Sequence, residues 1–191
     1  PFQNVRFSRN DLQQLKYASL LHDFGKIGVR EHVLVKAKKL YPDQLAAIQF
    51  RFKFVKKAIE CQYAQDKIRL FSAHQNNGKA ELNRLNTEFQ AKIQEIDECM
   101  QVIQRANEPT ILPHEIEEKL ATLCEKTFCD GDEQKPYLTA EEARILSIPK
   151  GSLSEKERQE IESHVLHTYN FLSKIPWASN LREVPELAFS H

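Results

Sequence analysis

Hydrophobic residues recur with the period of an α-helix along most of this chain, and the recurrence is most regular near its middle. Two apolar stripes with spacings of three or four residues stand on either side of the Asn76-Asn77-Gly78 turn. Together they predict an antiparallel helical hairpin over residues 43–106. The first stripe consists of Leu45, Ile48, Phe52, Val55 and Ile59, and the second of Leu82, Leu85, Phe89, Ile93, Ile96, Met100 and Ile103.

Helix-start signals organise the rest of the chain. A serine or threonine followed three residues later by an acidic residue predicts a capping box. This spacing occurs at Ser8/Asp11, Thr139/Glu142 and Ser154/Glu157. A shorter helix is expected over residues 114–128 and a final one from about Asn180. No strand pattern of period two persists, so the sequence predicts an all-α fold.

The first helix is expected to end at about Phe24, with Gly25 as its stop signal. The positions that follow its capping signal are Leu12, Leu15, Ala18 and Ser19, and they give it an apolar side. The helix that starts at Ser154 is expected to continue to about Ser173.

Composition narrows the functional classes. Lys and Arg number 27 and Asp and Glu also number 27, so the chain lacks the basic character of a nucleic-acid-binding protein. No apolar run reaches the roughly 18–20 residues of a membrane helix, and no signal peptide opens the chain. We therefore expect a cytoplasmic protein with reduced cysteines, and the first residue, Pro1, suggests a piece of a longer one.

Two features could carry chemistry. His22 and Asp23 are adjacent at the end of the first helix, and an imidazole beside a carboxylate suits Fe, Mn, Zn, Ni or Co. His164 lies within an amphipathic helix, on the face that carries Thr168. A histidine–aspartate pair also arises by chance, and a histidine on such a face is more often a hydrogen-bonded core residue. By themselves these residues leave both a metal site and a structural role open.

Three blocks of sequence together resemble one family. The segment Tyr17–Val29, with His22-Asp23-Phe24-Gly25-Lys26 at its centre, is similar to the signature of the HD-GYP branch of the HD phosphohydrolases. That family continues with a Leu-Thr-x-Glu-Glu helix start and a metal-binding histidine eleven residues after the leucine. Leu153 and His164 match this spacing, whereas eleven residues after the similar Leu138 stands Pro149. The end of the chain, residues 184–191, resembles the approach to the family's His-His-Glu motif.

The resemblance implies a function and its residues. Members typically hydrolyse cyclic di-GMP, a bacterial second messenger, with two or three divalent metal ions, for which Fe or Mn is favoured over Ni, Co or Zn. The implied metal ligands are His22, Asp23, His164 and His191, with Asp23 bridging two metals. Lys26 would place its charge against a phosphate oxygen. His167, one turn from His164, is expected not to be a ligand.

The resemblance also implies how the chain is organised. Residues 1–42 and 153–191 would form the two parts of an HD core, interrupted by the hairpin at 43–106 and a helical connector at 107–152. The remaining family ligands would precede Pro1 or follow His191, so the core is expected to be incomplete at both ends.

Two alternatives stay open. One is a catalytically degenerate signalling module whose helices form a homodimer or bind a partner, and the other is an HD phosphohydrolase acting on a different nucleotide. Under any of these interpretations we expect a homodimer through helices. The apolar stripe of residues 82–103 fits either packing within the chain or a dimeric coiled coil.

Overall fold

The computed structural model describes residues 6–73, 79–131 and 133–190, and it confirms the all-α class. None of the helices in this described part combines the length and the apolarity that crossing a bilayer requires. The α-helices are α1 (Arg9–Leu21), α2 (Glu31–Leu34), α3 (Pro42–Ala73), α4 (Lys79–Ala106), α5 (His114–Cys124), α6 (Ala140–Leu146), α7 (Glu155–Leu172) and α8 (Val184–Phe189). Short 3₁₀ helices span Phe24–Gly28 and Ser179–Leu181, and two strands, β1 (Thr127–Asp130) and β2 (Glu133–Pro136), form a small sheet.

The chain divides into two compact units. The first consists of Pro1–Lys36 and Leu153–His191, and the second of Ala37–Ser152. The first unit therefore brings together two segments that are far apart in the sequence, and α1, α7 and α8 enclose its small apolar core. The buried core residues are Ala18, Leu172, Val184 and Ala188.

Helix α1 turns only part of its predicted apolar side to this core. Leu12 is 56% exposed, whereas Gln14 and Ala18 are buried. The Gln14 amide explains the difference, because its oxygen accepts a hydrogen bond from the backbone N–H of Glu183 at 3.0 Å. Its Nε2 also donates to the Glu183 carboxylate at 3.3 Å. A buried amide satisfied in this way does not reveal itself in a hydrophobic pattern.

The second unit is built on the predicted hairpin. Tyr63 of α3 stacks on Phe89 of α4 at 4.3 Å between ring centroids and donates a hydrogen bond to Asn86 at 2.6 Å, and Lys56 pairs with Asp97 farther along. These contacts confirm antiparallel helices, and Ile103 is fully buried between them and their neighbours. The apolar stripe of α4 therefore packs within the chain. The turn at residues 76–78 lies outside the described residues.

The expected helix over residues 114–128 was wrong at its end. Helix α5 stops at Cys124, and Phe128 lies in strand β1, opposite Lys135 of β2. Gly131 joins the strands with a φ of 65°, which glycine adopts without strain. Phe128 lies 6.0 Å from Tyr137 between ring centroids, so packing against this aromatic neighbour favours the strand.

All three predicted capping boxes form, and two of them carry a buried ion pair. At the start of α6, Glu142 accepts a hydrogen bond from Thr139 N at 2.8 Å and pairs with Arg51 at 2.7 Å. At the start of α7, both oxygens of Glu157 lie 2.8 Å from Lys36 Nζ. The similar sequences at Thr139 and Ser154 thus begin helices in the same way. Helix α6 ends after two turns, whereas α7 continues for several more and carries His164.

Candidate metal centre

The end of α1 places the His22–Asp23 pair. The backbone N–H of His22 donates to the Ala18 carbonyl at 2.8 Å, which makes it the last residue to be hydrogen-bonded into the helix. Asp23 then leaves helical geometry, with φ −94° and ψ 3°, and the 3₁₀ helix Phe24–Gly28 begins immediately after it. The helix therefore ends three residues before the predicted Phe24. This break directs the two adjacent side chains away from a continuous helical surface.

Helix α7 holds this break through Thr168 and Gly25. The Gly25 N–H donates to Thr168 Oγ1 at 2.8 Å, and the same hydroxyl donates to the His22 carbonyl at 2.9 Å. Thr168 is fully buried. A Cβ added at Gly25 would stand 2.0 Å from the His164 carbonyl oxygen, so only glycine permits this approach. The two contacts fix the His22–Asp23 turn directly against the turn of α7 that carries His164.

Asp23 lies between two imidazoles as a result. Its Oδ1 is 3.4 Å from His164 Nε2, and its Oδ2 is 3.4 Å from His22 Nε2. The His164 side chain is only 10% exposed, whereas that of Asp23 is 42% exposed. The structure thus brings together three of the four predicted metal ligands, with one carboxylate oxygen towards each histidine. The fourth, His191, lies outside the described residues.

Both histidines are oriented by their own helices. His22 Nδ1 lies 2.8 Å from the Ser19 carbonyl oxygen, and His164 Nδ1 makes the equivalent contact with the Ile161 carbonyl. A carbonyl oxygen only accepts hydrogen bonds, so each Nδ1 carries the proton and donates it. In the neutral imidazoles each Nε2 then presents its lone pair to Asp23. This is the tautomer that metal-binding histidines use, with the second nitrogen hydrogen-bonded to a carbonyl.

The separations in this group fit pairs of metal ligands. Two ligand atoms held about 2.1 Å from one tetrahedral ion lie roughly 3.4 Å apart. Both the His22–Asp23 and the His164–Asp23 separations match this tetrahedral value and exceed by about 0.4 Å the roughly 3.0 Å between neighbouring ligands of an octahedral ion such as Mn²⁺. Within residues 6–73, 79–131 and 133–190, no group of three or more His, Cys, Asp or Glu side chains converges closely enough to hold one ion. We therefore describe the site as two ligand pairs that share Asp23.

Lys26 places a positive charge beside the Asp23 carboxylate. Its Nζ lies 2.8 Å from Asp23 Oδ2, and its side chain is 41% exposed. The hydrogen bond from Lys26 and its positive charge lower the pKa of Asp23, against the opposing effect of burial. The carboxylate is therefore ionised well below neutral pH and is ready to bind a cation.

The sequence revealed the reactive side chains better than the residues that position them. Gly25 was interpreted only as a helix stop, and its contact with α7 was missed. The position of Thr168, four residues after His164, was the available signal for its role, since that spacing places it one helical turn away on the same face. His167 is exposed, and its ring lies beside Gly28. A Cβ added at Gly28 would stand 3.4 Å from that ring.

Comparisons of the chain with protein-family models, with curated proteins and with solved structures found no match. The chemistry of His22, Asp23, Lys26 and His164, and the resemblance of the surrounding sequence to the HD-GYP signature, are therefore what support a function. Each of these four side chains belongs to the first unit.

Proposed function

We propose that the first unit carries catalytic residues of a metal-dependent phosphodiesterase that hydrolyses cyclic di-GMP. One observation carries the proposal: the Asp23 carboxylate directs one oxygen to His22 and the other to His164, each at 3.4 Å. A carboxylate has two oxygens to share, so this arrangement suits an aspartate that bridges two ions.

In this proposal each residue of the group has a separate role. His22 and His164 would hold metal ions through Nε2, and Asp23 would link the two positions. His191 would add a further ligand, as the resemblance implies. Two or three divalent transition ions, Fe or Mn rather than Ni, Co or Zn, would supply Lewis-acid polarisation of the phosphodiester.

Lys26 would act on the substrate. Its ammonium lies next to the Asp23 carboxylate and remains 41% exposed, so it can reach a phosphate at the edge of the site. Negative charge accumulates on the non-bridging phosphate oxygens during attack, and a cation placed beside them stabilises that charge. When substrate is bound, the lysine would exchange its contact with Asp23 for one with a phosphate oxygen.

The choice of substrate rests on the resemblance of Tyr17–Val29 and of Leu153–His164 to the HD-GYP signature. It implies cyclic di-GMP rather than a polymeric nucleic acid, in agreement with a formal net charge of zero. A cytoplasmic location belongs to the same proposal, as expected for an enzyme of an intracellular second messenger.

Chromatography of the reaction products tests the proposal. The 191-residue chain, supplied with Mn²⁺ or with Fe²⁺ under anaerobic conditions, should convert cyclic di-GMP to a linear dinucleotide or to GMP. Asp23→Asn and His164→Ala should reduce the conversion to background. His167→Ala is the matched control and should retain activity. It removes an exposed imidazole that lies three residues, slightly less than one helical turn, after His164.

The same experiment separates the alternatives. If the chain consumed guanosine tetraphosphate in preference to cyclic di-GMP, the proposed metal chemistry would stand, but cyclic di-GMP would be wrong as the substrate. Turnover that survives Asp23→Asn would contradict the role of Asp23 and with it the proposed phosphodiesterase site. Metal bound by the wild type without turnover of any nucleotide would favour a non-catalytic module.

A further inference from the structure

Helix α3 has an apolar face that the described residues of the second unit leave largely uncovered, although the Phe128 ring contacts Phe54 at 5.9 Å between centroids. One side of the helix packs into the core of that unit through Ile48, Phe52 and Val55, all buried. On the opposite side, Phe50 is 68% exposed, Phe54 46%, Ile68 66% and Phe71 61%. Ala58, Cys61 and Ala64 are also exposed and lie between them. These seven residues are called the outer face of α3.

The outer face is nearly symmetric about Cys61. Ala58 and Ala64 lie three residues before and after it, and Phe54 and Ile68 lie seven residues before and after it. Because seven residues make almost two complete helical turns, Phe54 and Ile68 point within about 20° of Cys61. Phe50 precedes Cys61 by eleven residues and Phe71 follows it by ten. Small residues thus occupy the centre of the face beside the exposed Lys57, which lies four residues before Cys61, and large apolar residues occupy both ends.

This order is self-complementary. When two such helices pack antiparallel about a two-fold axis at Cys61, Phe54 of one copy lies against Ile68 of the other. The small central residues then allow the two helix backbones to approach closely. A two-fold interface requires the same patch on both copies and reciprocal contacts across it. We infer that the outer face of α3 is the interface of an antiparallel homodimer with Cys61 next to the symmetry axis.

The size of the face fits a weak dimer. With an aromatic side chain presenting on the order of 200 Å², the exposed fractions of its large residues leave roughly 450 Å² of apolar surface on each copy. The largest apolar patch on a typical monomer is of this size, about 300–600 Å², and is often functional. Two copies would bury roughly 900 Å² of it, which is at the low end of the area of specific interfaces and typical of weak association.

The charges beside the face do not oppose this pairing. Lys57 pairs with Glu60 at 2.6 Å, and Arg69 pairs with Asp66 at 3.4 Å, so both cations are balanced within one copy. Lys53 lies over the Phe50 ring at 5.3 Å from its centroid. Two outer faces can therefore meet without placing unbalanced like charges opposite each other.

This position differs from the coiled coil that the sequence offered as an alternative. The regular stripe of α4 packs within the second unit, where Ile96 is 2% exposed and Ile103 0% and the other members are half-buried, namely Leu82, Leu85, Phe89, Ile93 and Met100. That stripe is already occupied by the chain's own residues. A dimer must use another surface, and the outer face of α3 is apolar and exposed.

Sedimentation velocity tests the inference with the complete 191-residue chain. The wild type should sediment as a dimer at tens of micromolar, and Phe54→Glu and Ile68→Glu should each convert it to a monomer. Ile111→Glu is the matched control, because Ile111 is 70% exposed in the same unit but lies off α3, and it should leave the dimer intact. A wild type that is monomeric at these concentrations, or dimers that survive both α3 substitutions, would overturn the inference.

Cross-linking with a short bismaleimide provides a second measurement that needs no destabilising change. Packed helices lie 8–10 Å apart, so two Cys61 thiols next to the axis are within reach of one linker. Cross-linked dimer should form in the wild type and in Cys129→Ser, whose substituted cysteine is the other exposed one, and should disappear in Cys61→Ser. Cross-linking that depends on Cys129 instead would place the contact elsewhere and contradict the inference. Circular dichroism of every variant identifies any that fails to fold, and for such a variant the cross-linking result decides.

Discussion

The backbone N–H of Gly25 donates a hydrogen bond of 2.8 Å to the Thr168 hydroxyl, across 143 positions of sequence. The same hydroxyl donates a hydrogen bond of 2.9 Å to the His22 carbonyl. This one side chain therefore fixes the distance between the histidine–aspartate turn and the helix that carries His164. The candidate metal centre depends on that distance, since its ligands come from both segments.

Gly25→Ala should destabilise the first unit and impair metal binding. The new Cβ would meet the His164 carbonyl oxygen at 2.0 Å and Thr168 N at 2.6 Å, and both are backbone atoms that cannot rotate away. Forced overpacking of this kind typically costs about 1–3 kcal/mol. Thermal unfolding followed by circular dichroism measures the loss.

Gly28→Ala is the control for that substitution. Its nearest neighbour would be the His167 ring at 3.4 Å, an ordinary contact with a movable side chain. Its stability should lie within about 1 kcal/mol of the wild type. Equal stability of the two alanine variants would show that α7 does not pack on Gly25 as described.

Thr168→Val should weaken metal binding without leaving a large cavity. Valine keeps the shape of threonine but removes the hydroxyl, so the buried Gly25 N–H loses its acceptor, at a cost of about 1–3 kcal/mol. Thr168→Ser keeps the hydroxyl and loses one methyl group. If the hydrogen bonds matter, serine should retain more metal than valine in a titration with Mn²⁺. The opposite order would assign the effect to packing alone.

Glu142→Gln should destabilise the second unit. The Glu142 carboxylate holds Arg51 at 2.7 Å, and their side chains are only 10% and 21% exposed. Breaking one partner of a largely buried pair costs about 3 kcal/mol. The neighbouring Glu141, 59% exposed and paired with Arg144, gives a matched control. Glu141→Gln should change the free energy of unfolding in urea by less than about 1 kcal/mol, and equal losses in both variants would contradict the assignment.

Acid should weaken the Arg30–Glu160 pair of the first unit. The Arg30 hydrogen bond lowers the pKa of Glu160 to about 2. Because the folded-state pKa lies below the unfolded value, the stabilisation is complete above about pH 4.5 and is lost as the pH falls towards 2. Glu160→Gln should therefore make the stability less dependent on pH in this window. An unchanged slope in Glu160→Gln would refute the pair's contribution.

Local signals explain what the sequence predicted well. Capping boxes such as Ser154/Glu157, and the spacing of three or four residues between apolar positions of the hairpin, involve neighbours within a few positions. These features were confirmed. Phe128 was placed wrongly because its partner Tyr137 is reached only after a turn. The buried contact of Gln14 with Glu183 was not predicted because the two residues are distant in sequence. The contact of Gly25 with α7 is likewise tertiary. The candidate ligands were suggested by the resemblance to the HD-GYP signature, but their separations required the folded chain.

The metal content of the purified chain tests the central claim most directly. The wild type, His164→Ala, Asp23→Asn and the control His167→Ala would be prepared without oxygen or chelators and analysed by inductively coupled plasma mass spectrometry. We expect at least one transition metal ion per chain in the wild type and the control, and its loss in both site variants. Equal metal content in all four proteins, or none in the wild type, would contradict a metal centre at Asp23.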